Sequence, residues 1–194
     1  MKKSEQTKDT IRKLTKVARD YFTEQGYAHA SMEVIVNKAG LTRGALYHHF
    51  GSKEGLFHAV LESVQQEIAE KVEAEAAKSD DLWEQLLLGC RAFVSAAVEP
   101  QNRRILLIDG PAVLGWETWR TMDQQNSMRL LKDQLEVMAQ HGCLRPISIN
   151  TLVHLLSGAM NEAALWIAPK PNQKQSLEEI SEVLSLFMEG FRSR

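Results

Sequence analysis

Residues 41–57 concentrate the side chains of this chain that are most capable of chemistry, and they read LTRGALYHHFGSKEGLF. An arginine, a tyrosine, two adjacent histidines and a lysine stand among three glycines. Imidazoles can bind metal or exchange protons, but no Asp, Glu or Cys lies at metal-ligand spacing on the same predicted helix face. The remaining interpretation is a surface that donates hydrogen bonds and carries positive charge, as contact with a polyanion requires.

The charge of the chain is divided unevenly, although the net charge is only −2. Residues 1–60 carry ten Lys and Arg against six Asp and Glu, whereas residues 61–194 carry thirteen against nineteen. A basic head on an acidic body indicates that only the head meets a polyanion. The two cysteines, Cys90 and Cys143, lack any metal-binding spacing and are interpreted as reduced thiols.

Apolar residues recur at three- and four-residue spacing through almost the whole chain, which predicts helices. No segment alternates with a period of two over the length of a strand, so the fold class predicted is all-α, with about nine helices. One of these is predicted as a single long helix from about Trp116 to Gln140. The predicted caps are Gly26 and Gly40 at helix ends and Ser31, Thr42 and Ser52 at helix starts.

The region from Ser31 to Phe50 has the organisation of a helix-turn-helix. Residues 31–39 and 43–50 are predicted helices, and Gly40-Leu41-Thr42 forms the tight turn between them. In this motif the second helix enters the major groove of DNA, with its N-terminal residues at the base edges. The odd composition of residues 41–57 thus corresponds to a recognition helix.

Several side chains of this helix keep more than one interpretation. Arg43 can read guanine, contact phosphate or lie solvated on the surface. Tyr47 can pack in the core while its hydroxyl bonds a phosphate. The small residues Gly44 and Ala45 allow close approach to DNA, and the methyl group of Ala45 could touch thymine. His48 and His49 could donate to phosphates, or His49 could simply pack under Tyr47.

Residues 8–61 resemble the DNA-binding head of the TetR family of bacterial transcriptional regulators. The resemblance is carried, at the family's spacings, by Ser31, Ala39-Gly40-Leu41-Thr42, Gly44, Leu46-Tyr47, His49-Phe50, Ser52-Lys53-Glu54 and Leu56. Val36-Asn37 departs mildly from the usual Ala-x pair. The DNA-binding residues that result from the motif and the resemblance together are Ser31, Thr42, Arg43, Gly44, Ala45, Tyr47, His48, His49 and Lys53.

The resemblance implies a three-helix DNA-binding head and a larger helical body for ligand binding and dimerisation. The predicted divisions are a head at residues 1–52, with the helix-turn-helix at 31–50, a connecting helix at 53–78, and a C-terminal domain at 79–194. The last two helices alternate small and large apolar residues, which suits a homodimer interface, although an internal core could show the same pattern.

Aromatic and sulfur-containing side chains of the body could line an effector cavity, or they could form an ordinary bundle core. A cavity also needs a few polar groups that orient the ligand. The ligand-binding candidates are Phe93, Trp116, Trp119, Met122, Asn126, Met128, His154, Asn161, Glu162 and Trp166.

The predicted function is a homodimeric transcriptional repressor that binds a palindromic operator in double-stranded DNA and is released by a small-molecule inducer. A non-regulatory DNA-binding protein of the nucleoid or of cell division is the alternative, and an enzyme using the helical body is a distant third. No catalytic residue, metal site or cofactor is predicted. The absence of a secretory signal and of a membrane-spanning run predicts a cytoplasmic protein. Activator and repressor are not distinguishable from the sequence.

Overall fold

The computed structural model describes residues 2–193, with side chains from Glu5 onward, and within them the fold is all-α as predicted. In this part of the chain the only strand-like pairing is an isolated bridge between Leu144 and Arg192. No described helix is long and apolar enough to cross a bilayer. The helices are α1 (Lys2–His29), α2 (Met32–Ala39), α3 (Arg43–Phe50), α4 (Lys53–Ala76), α5 (Leu82–Val98), α6 (Pro100–Arg103), a π-helical segment (Arg104–Asp109), α7 (Gly110–Leu114), α8 (Trp116–Gln125), α9 (Ser127–Gln140), α10 (Ile149–Ile167) and α11 (Gln173–Glu189).

The chain divides into two compact units. Unit 1 combines the residues up to Val64 with Pro100–Arg120, and unit 2 combines Gln65–Glu99 with Thr121–Arg194. Helices α4 and α8 therefore each contribute residues to both units. The predicted head, connecting helix and C-terminal domain, divided after residues 52 and 78, are defined by function rather than by compactness, and this division stays a prediction.

The core of unit 1 is built around the inner face of α1. Leu14, Phe22, Ile35, Leu46 and Phe57 are all fully buried there. The rings of Phe22 and Phe57 meet edge to face, with centroids 5.2 Å apart. Burial of each such side chain stabilises the fold by roughly 1.5–3 kcal/mol. This core fixes the positions of α2 and α3 on α1.

The turn between α2 and α3 has the predicted cap geometry. Gly40 adopts the left-handed conformation at φ 66° and ψ 33°, which glycine reaches without steric cost. Its backbone N–H donates to the carbonyl of Asn37, and the N–H of Leu41 donates to that of Val36. At the start of α2, the Ser31 hydroxyl accepts from a backbone N–H of the first turn.

The end of α1 is held by the π-helical segment. Gly26 interrupts the helix at φ 75° and ψ 165°, so the predicted cap position is confirmed as a break. The Arg104 guanidinium lies against this glycine and donates to the carbonyl of Thr23, and the Asp109 carboxylate accepts from the N–H of Tyr27 at 2.9 Å. We call Arg104 and Asp109 the α1 clasp. These contacts explain why Pro100–Arg120 belongs to unit 1.

The π-helical segment is stabilised by Trp119. The indole N–H of this buried side chain donates to the carbonyl of Leu106 at 2.7 Å. A side chain at Gly110 would meet the Ile105 carbonyl at 2.8 Å and the Trp119 ring at 2.9 Å. Because both atoms belong to packed groups, the close approach of the indole requires glycine here.

Unit 2 is a helical bundle in which α5 packs against α9, α10 and α11. Leu135, Met138, Leu156, Ala164 and Ile167 are fully buried in it. These residues recur at helical spacing along α9 and α10, as the periodicity predicts. Pro169 and Pro171 then separate α10 from α11.

The prediction of one long helix from Trp116 to Gln140 is wrong. The helix ends at Gln125, and α9 begins at Ser127 after Asn126 leaves helical geometry at φ −118° and ψ −114°. The Asn126 amide donates to the carbonyl of Met122 at 2.8 Å, an example of a side chain that competes with the helical backbone. Apolar periodicity continues on both sides of the break and therefore does not reveal it.

Candidate nucleic-acid interface and effector cavity

Helix α3 is capped at its start and anchored on one side only. The Thr42 hydroxyl accepts from a first-turn backbone N–H at 3.2 Å, which confirms the predicted N-cap. Leu46 is fully buried on the inner side, whereas Arg43, Gly44 and Tyr47 are exposed on the outer side. The first turn holds no acidic residue, so no carboxylate there offsets the positive end of the helix dipole. Such a helix start favours phosphate binding.

Arg43 and Tyr47 form a pair on the exposed side of α3. The guanidinium carbon lies 5.5 Å from the centroid of the tyrosine ring. The pKa of Arg43 is raised, chiefly by its hydrogen bond with Tyr47. Tyr47 is 41% exposed, which places its ring at the surface rather than in the core. The pair presents a fixed positive charge and a phenol, but the predicted base and phosphate contacts stay predictions.

Gly44 is not required by the fold of the head. It has ordinary helical geometry, and a Cβ added there would meet nothing nearer than the Thr42 hydroxyl at 3.9 Å. Ala45, its half-buried neighbour, is also small. Because the chain itself leaves this space open, the small side chains here suit close approach by another molecule.

The two histidines pack against each other rather than converging on a metal. The rings of His48 and His49 lie 5.0 Å apart, edge to face, and the His49 ring lies 6.4 Å from that of Phe50. His48 is exposed and His49 half-buried. Across the described part of the chain, no cluster of three or more His, Cys, Asp or Glu side chains could hold a metal ion.

Lys53 begins α4 and Ser31 caps α2, and both side chains already bond within the head. The Lys53 ammonium donates to the carbonyl of Ala28 at 3.3 Å and lies 4.7 Å above the ring of Tyr27. Partial burial lowers the pKa of this lysine. The Ser31 oxygen accepts from the N–H of Val34, which leaves its hydroxyl proton free to donate. Both predicted DNA-binding side chains therefore also have a partner within the head, and their DNA contacts stay predictions.

Unit 2 contains a cavity of about 290 Å³ between α4, α5, α8, α9 and α10. Its inner walls are largely apolar and include the buried side chains of Phe93, Met128, Leu131 and Met160. At its edge the Gln134 amide donates to Gln85 and to the backbone of α5, which ties α9 to α5. A largely apolar cleft with a few polar groups is typical of a small-molecule site.

Two of the ten predicted ligand residues, Phe93 and Met128, line this cavity. Trp116 and Trp119 lie in unit 1, where the indole of Trp119 is already bonded to the backbone. The remaining six lie outside the lining: Met122 is buried, Asn126 and Asn161 are half-buried, and His154, Glu162 and Trp166 are exposed. Ligand contacts for all ten stay predictions.

Two buried polar residues of the cavity were missing from the sequence-based candidates. Asp123 is 4% exposed, and the hydroxyl of Ser157 donates to its carboxylate at 3.4 Å. The available signal was that Ser157 interrupts an apolar helix face, four residues after buried Val153 and three before buried Met160. Buried polar groups at such positions need partners and often mark a site.

Comparisons with known proteins cover both parts of the chain. Residues 14–60 match the family described as bacterial regulatory proteins, tetR family. Residues 83–191, more than half of the chain, match the tetracyclin repressor-like C-terminal domain. The chain belongs to the TetR family. The predicted resemblance to the TetR family is thereby confirmed.

Full-length relatives of this TetR-family chain agree with the assignment. A solved TetR-family transcriptional regulator from Pectobacterium atrosepticum is 34% identical with a TM-score of 0.80, covering 98% of this chain and 97% of that one. The transposon Tn10 TetC protein of Escherichia coli is 24% identical over 97% of this chain and 91% of its own. The transcriptional repressor AcnR of Corynebacterium jeikeium is 26% identical over 91% and 88%. This TetR-family chain is a helix-turn-helix transcriptional regulator, and such regulators are typically ligand-responsive repressors.

Proposed function

We propose that the protein is a homodimeric repressor that binds a palindromic operator and leaves it when a small molecule binds. Each head would place α3 in one of two successive major grooves, roughly 34–36 Å apart for a single helical turn. The observation that carries the proposal is the open surface of α3. Arg43 and Tyr47 lie beside Gly44 on this surface, and a Cβ placed at Gly44 would have the Thr42 hydroxyl, at 3.9 Å, as its nearest contact.

Dimerisation through α10 and α11 is supported by their exposed apolar side chains. Leu155, Trp166, Val183, Leu186 and Phe187 are between 43% and 69% exposed. Apolar side chains repeated on two adjacent helices are typical of a protein–protein contact. A twofold pairing of these helices would bury them and would match the symmetry of a palindromic operator.

The cavity of unit 2 is the proposed effector site, with Phe93 and Met128 among its contacts. Release from the operator requires only that the effector bind more tightly to the dimer conformation whose two heads do not reach both half-sites. Helix α4 has residues in both units and offers a continuous element for this coupling. Allosteric coupling of this kind is typically about 1–3 kcal/mol. The site of action would be the bacterial chromosome in the cytoplasm.

Selection of chromosomal DNA with the purified protein, followed by sequencing, tests the proposal. We expect a few promoter-proximal sites that share one inverted repeat. A variant with both Arg43→Ala and Tyr47→Ala serves as the control, because it removes the proposed contacts but leaves the core of the head intact. Many dispersed sites without an inverted repeat, or equal enrichment by the control, would contradict the proposal.

A further inference from the structure

We propose that Asp109 is a positioning residue for DNA binding, which acts through the side chain of Lys53. The inference rests on the proposed function for the phosphate contact of Lys53, but the positioning itself is argued from contacts within unit 1. Asp109 lies in the π-helical segment, far along the chain from the helix-turn-helix. The segment that joins the two residues is Tyr27-Ala28, directly after the break of α1 at Gly26.

The break in α1 separates backbone groups that would bond to each other in a regular helix. Because Gly26 leaves helical geometry, the N–H of Tyr27 is turned away from the carbonyl of Thr23, four residues earlier. That N–H donates instead to the Asp109 carboxylate at 2.9 Å, and the Arg104 guanidinium donates to the Thr23 carbonyl at 3.5 Å. The α1 clasp thus caps both sides of the break from a separate part of the chain.

Tyr27 and Ala28 also hold the side chain of Lys53. The Lys53 ammonium donates to the Ala28 carbonyl at 3.3 Å and lies 4.7 Å from the centroid of the Tyr27 ring. The ring itself packs edge to face against buried Phe57, with centroids 5.2 Å apart. Tyr27-Ala28 therefore contacts Asp109 through a backbone N–H and Lys53 through a carbonyl and a ring. Loss of the Asp109 contact would free this segment and with it the support of Lys53.

The charge of Asp109 gives the inference a distinctive sign. A carboxylate disfavours an approaching polyanion, and that of Asp109 is offset in part by Arg104 at 3.7 Å. Removal of the negative charge alone should therefore leave DNA affinity unchanged or raise it. Positioning predicts the opposite, because a lysine that is no longer held must lose side-chain freedom when it binds.

Fluorescence anisotropy with a mixed-sequence DNA duplex at low salt tests the inference in a double-mutant cycle. We expect Asp109→Ala to weaken binding about two- to tenfold in the parent and to change it little where Lys53 is already alanine. Asp109→Asn keeps an oxygen that can accept from the Tyr27 N–H, so it should bind as tightly as the parent. An equal loss in both Lys53 backgrounds, or the same loss in the asparagine variant, would overturn the inference.

Asp9→Ala is the matched control for these variants. Asp9 is also a carboxylate of unit 1 that pairs with an arginine, Arg12, at 3.0 Å. Its removal changes the charge of the head by the same amount and should not weaken DNA binding. Circular dichroism melting confirms that every variant is folded at the temperature of measurement. Weakening by Asp9→Ala equal to that by Asp109→Ala would contradict a role specific to Asp109.

NMR spectra of the lysine-labelled full chain test the positioning without DNA. The Tyr27 ring should shift the Lys53 methylene protons upfield, and Asp109→Ala should remove this shift while Asp109→Asn keeps it. Lys38, 4.7 Å above the ring of Tyr21, is the internal control, and its shift should stay unchanged. No upfield shift for Lys53, or its persistence in Asp109→Ala, would overturn the inference. Loss of the shift in a protein that binds no DNA would refute the proposed function and leave the positioning of Lys53 standing.

Discussion

At the scale of single residues, the variant Gly44→Ala tests protein stability and DNA affinity separately. Replacing Gly44 by alanine adds a methyl group whose nearest contact is an ordinary one with the Thr42 hydroxyl at 3.9 Å, so the melting temperature should stay unchanged or rise slightly. The same methyl group would stand between α3 and DNA, and we expect operator affinity to fall about tenfold. Circular dichroism melting and fluorescence anisotropy on the same sample measure the two effects. Unchanged affinity would show that Gly44 does not face the DNA.

Lys53 bonds to Ala28 and Tyr27 within the head, and we predict that its positive charge also contacts a DNA phosphate. The variant Lys53→Ala loses the contacts with Ala28 and Tyr27, and with them the proposed phosphate contact. We expect the slope of log affinity against log salt concentration to become about 0.9 shallower for one lost phosphate contact. Lys38→Ala is the matched control, since Lys38 also lies 4.7 Å above a tyrosine ring of the head but has no assigned phosphate. Equal slopes in both variants would argue against the phosphate contact.

The two thiols should differ sharply in reactivity. Burial raises the pKa of Cys90 to about 12, so at pH 8 it is almost entirely the neutral thiol, and its thiolate grows only as the pH approaches that pKa. The thiolate is the reactive form. We expect iodoacetamide at pH 8 to label half-buried Cys143 in the native protein and to reach Cys90 only after denaturation. Peptide mass mapping checks the order, and early labelling of Cys90 would contradict its burial.

At the scale of elements, the end of α1 depends on Gly26. Its backbone conformation is essentially restricted to glycine, and a Cβ there would lie 2.5 Å from the Arg104 guanidinium of the α1 clasp. We expect Gly26→Ala to cost about 1–3 kcal/mol in strain, with a further loss as the clasp is displaced. A lower melting temperature would report both effects.

Gly40→Ala is the matched control for this variant. Gly40 also has a positive φ, but a Cβ there would meet no atom within 4 Å, so only the strain applies. We therefore expect Gly40→Ala to destabilise the protein less than Gly26→Ala. The reverse order would show that the α1 clasp does not oppose a side chain at position 26.

Elements defined by local residues were predictable from the sequence, and those defined by distant contacts were not. Ser31 and Thr42 bond within their own first turns, so their cap roles follow from a few neighbouring residues. The π-helical segment depends instead on Trp119, which bonds to it from another helix. The break at Asn126 lies in a sequence whose apolar period continues on both sides.

The two candidate sites differ in the same way. The predicted recognition residues Arg43, Gly44 and Tyr47 share one short helix, so their spacing and the family motif are enough to predict them together. The cavity draws residues from five helices, and only the packing of unit 2 brings Asp123 and Ser157 together. Aromatic residue type alone therefore also selected Trp116 and Trp166, which lie outside its lining.

At the scale of the whole molecule, the exposed apolar side chains of α10 and α11 support the proposed homodimer and allow it to be tested. Leu186 is 69% exposed, so Leu186→Glu should not disturb the protomer but should place a charge in the proposed interface. We expect light scattering to give about twice the 21.9 kDa chain mass for the parent and a value near the chain mass for the variant at micromolar concentration. Operator affinity should fall with dimer loss. Ile147→Glu, an exposed apolar position outside these helices, is the control and should remain dimeric.

The positions of the four tryptophans determine what intrinsic fluorescence can report. Trp83, Trp116, Trp119 and Trp166 all lie outside the lining of the cavity. An effector in the cavity therefore cannot quench an indole by direct contact. If it also does not absorb near 340 nm, it cannot quench by energy transfer. A change in emission on binding would have to come from rearrangement around an indole, such as the bond from Trp119 to the Leu106 carbonyl. Calorimetry would then measure the occupancy of the cavity, and emission would measure the conformational response. The same titration followed by both methods could separate ligand binding from its allosteric consequence.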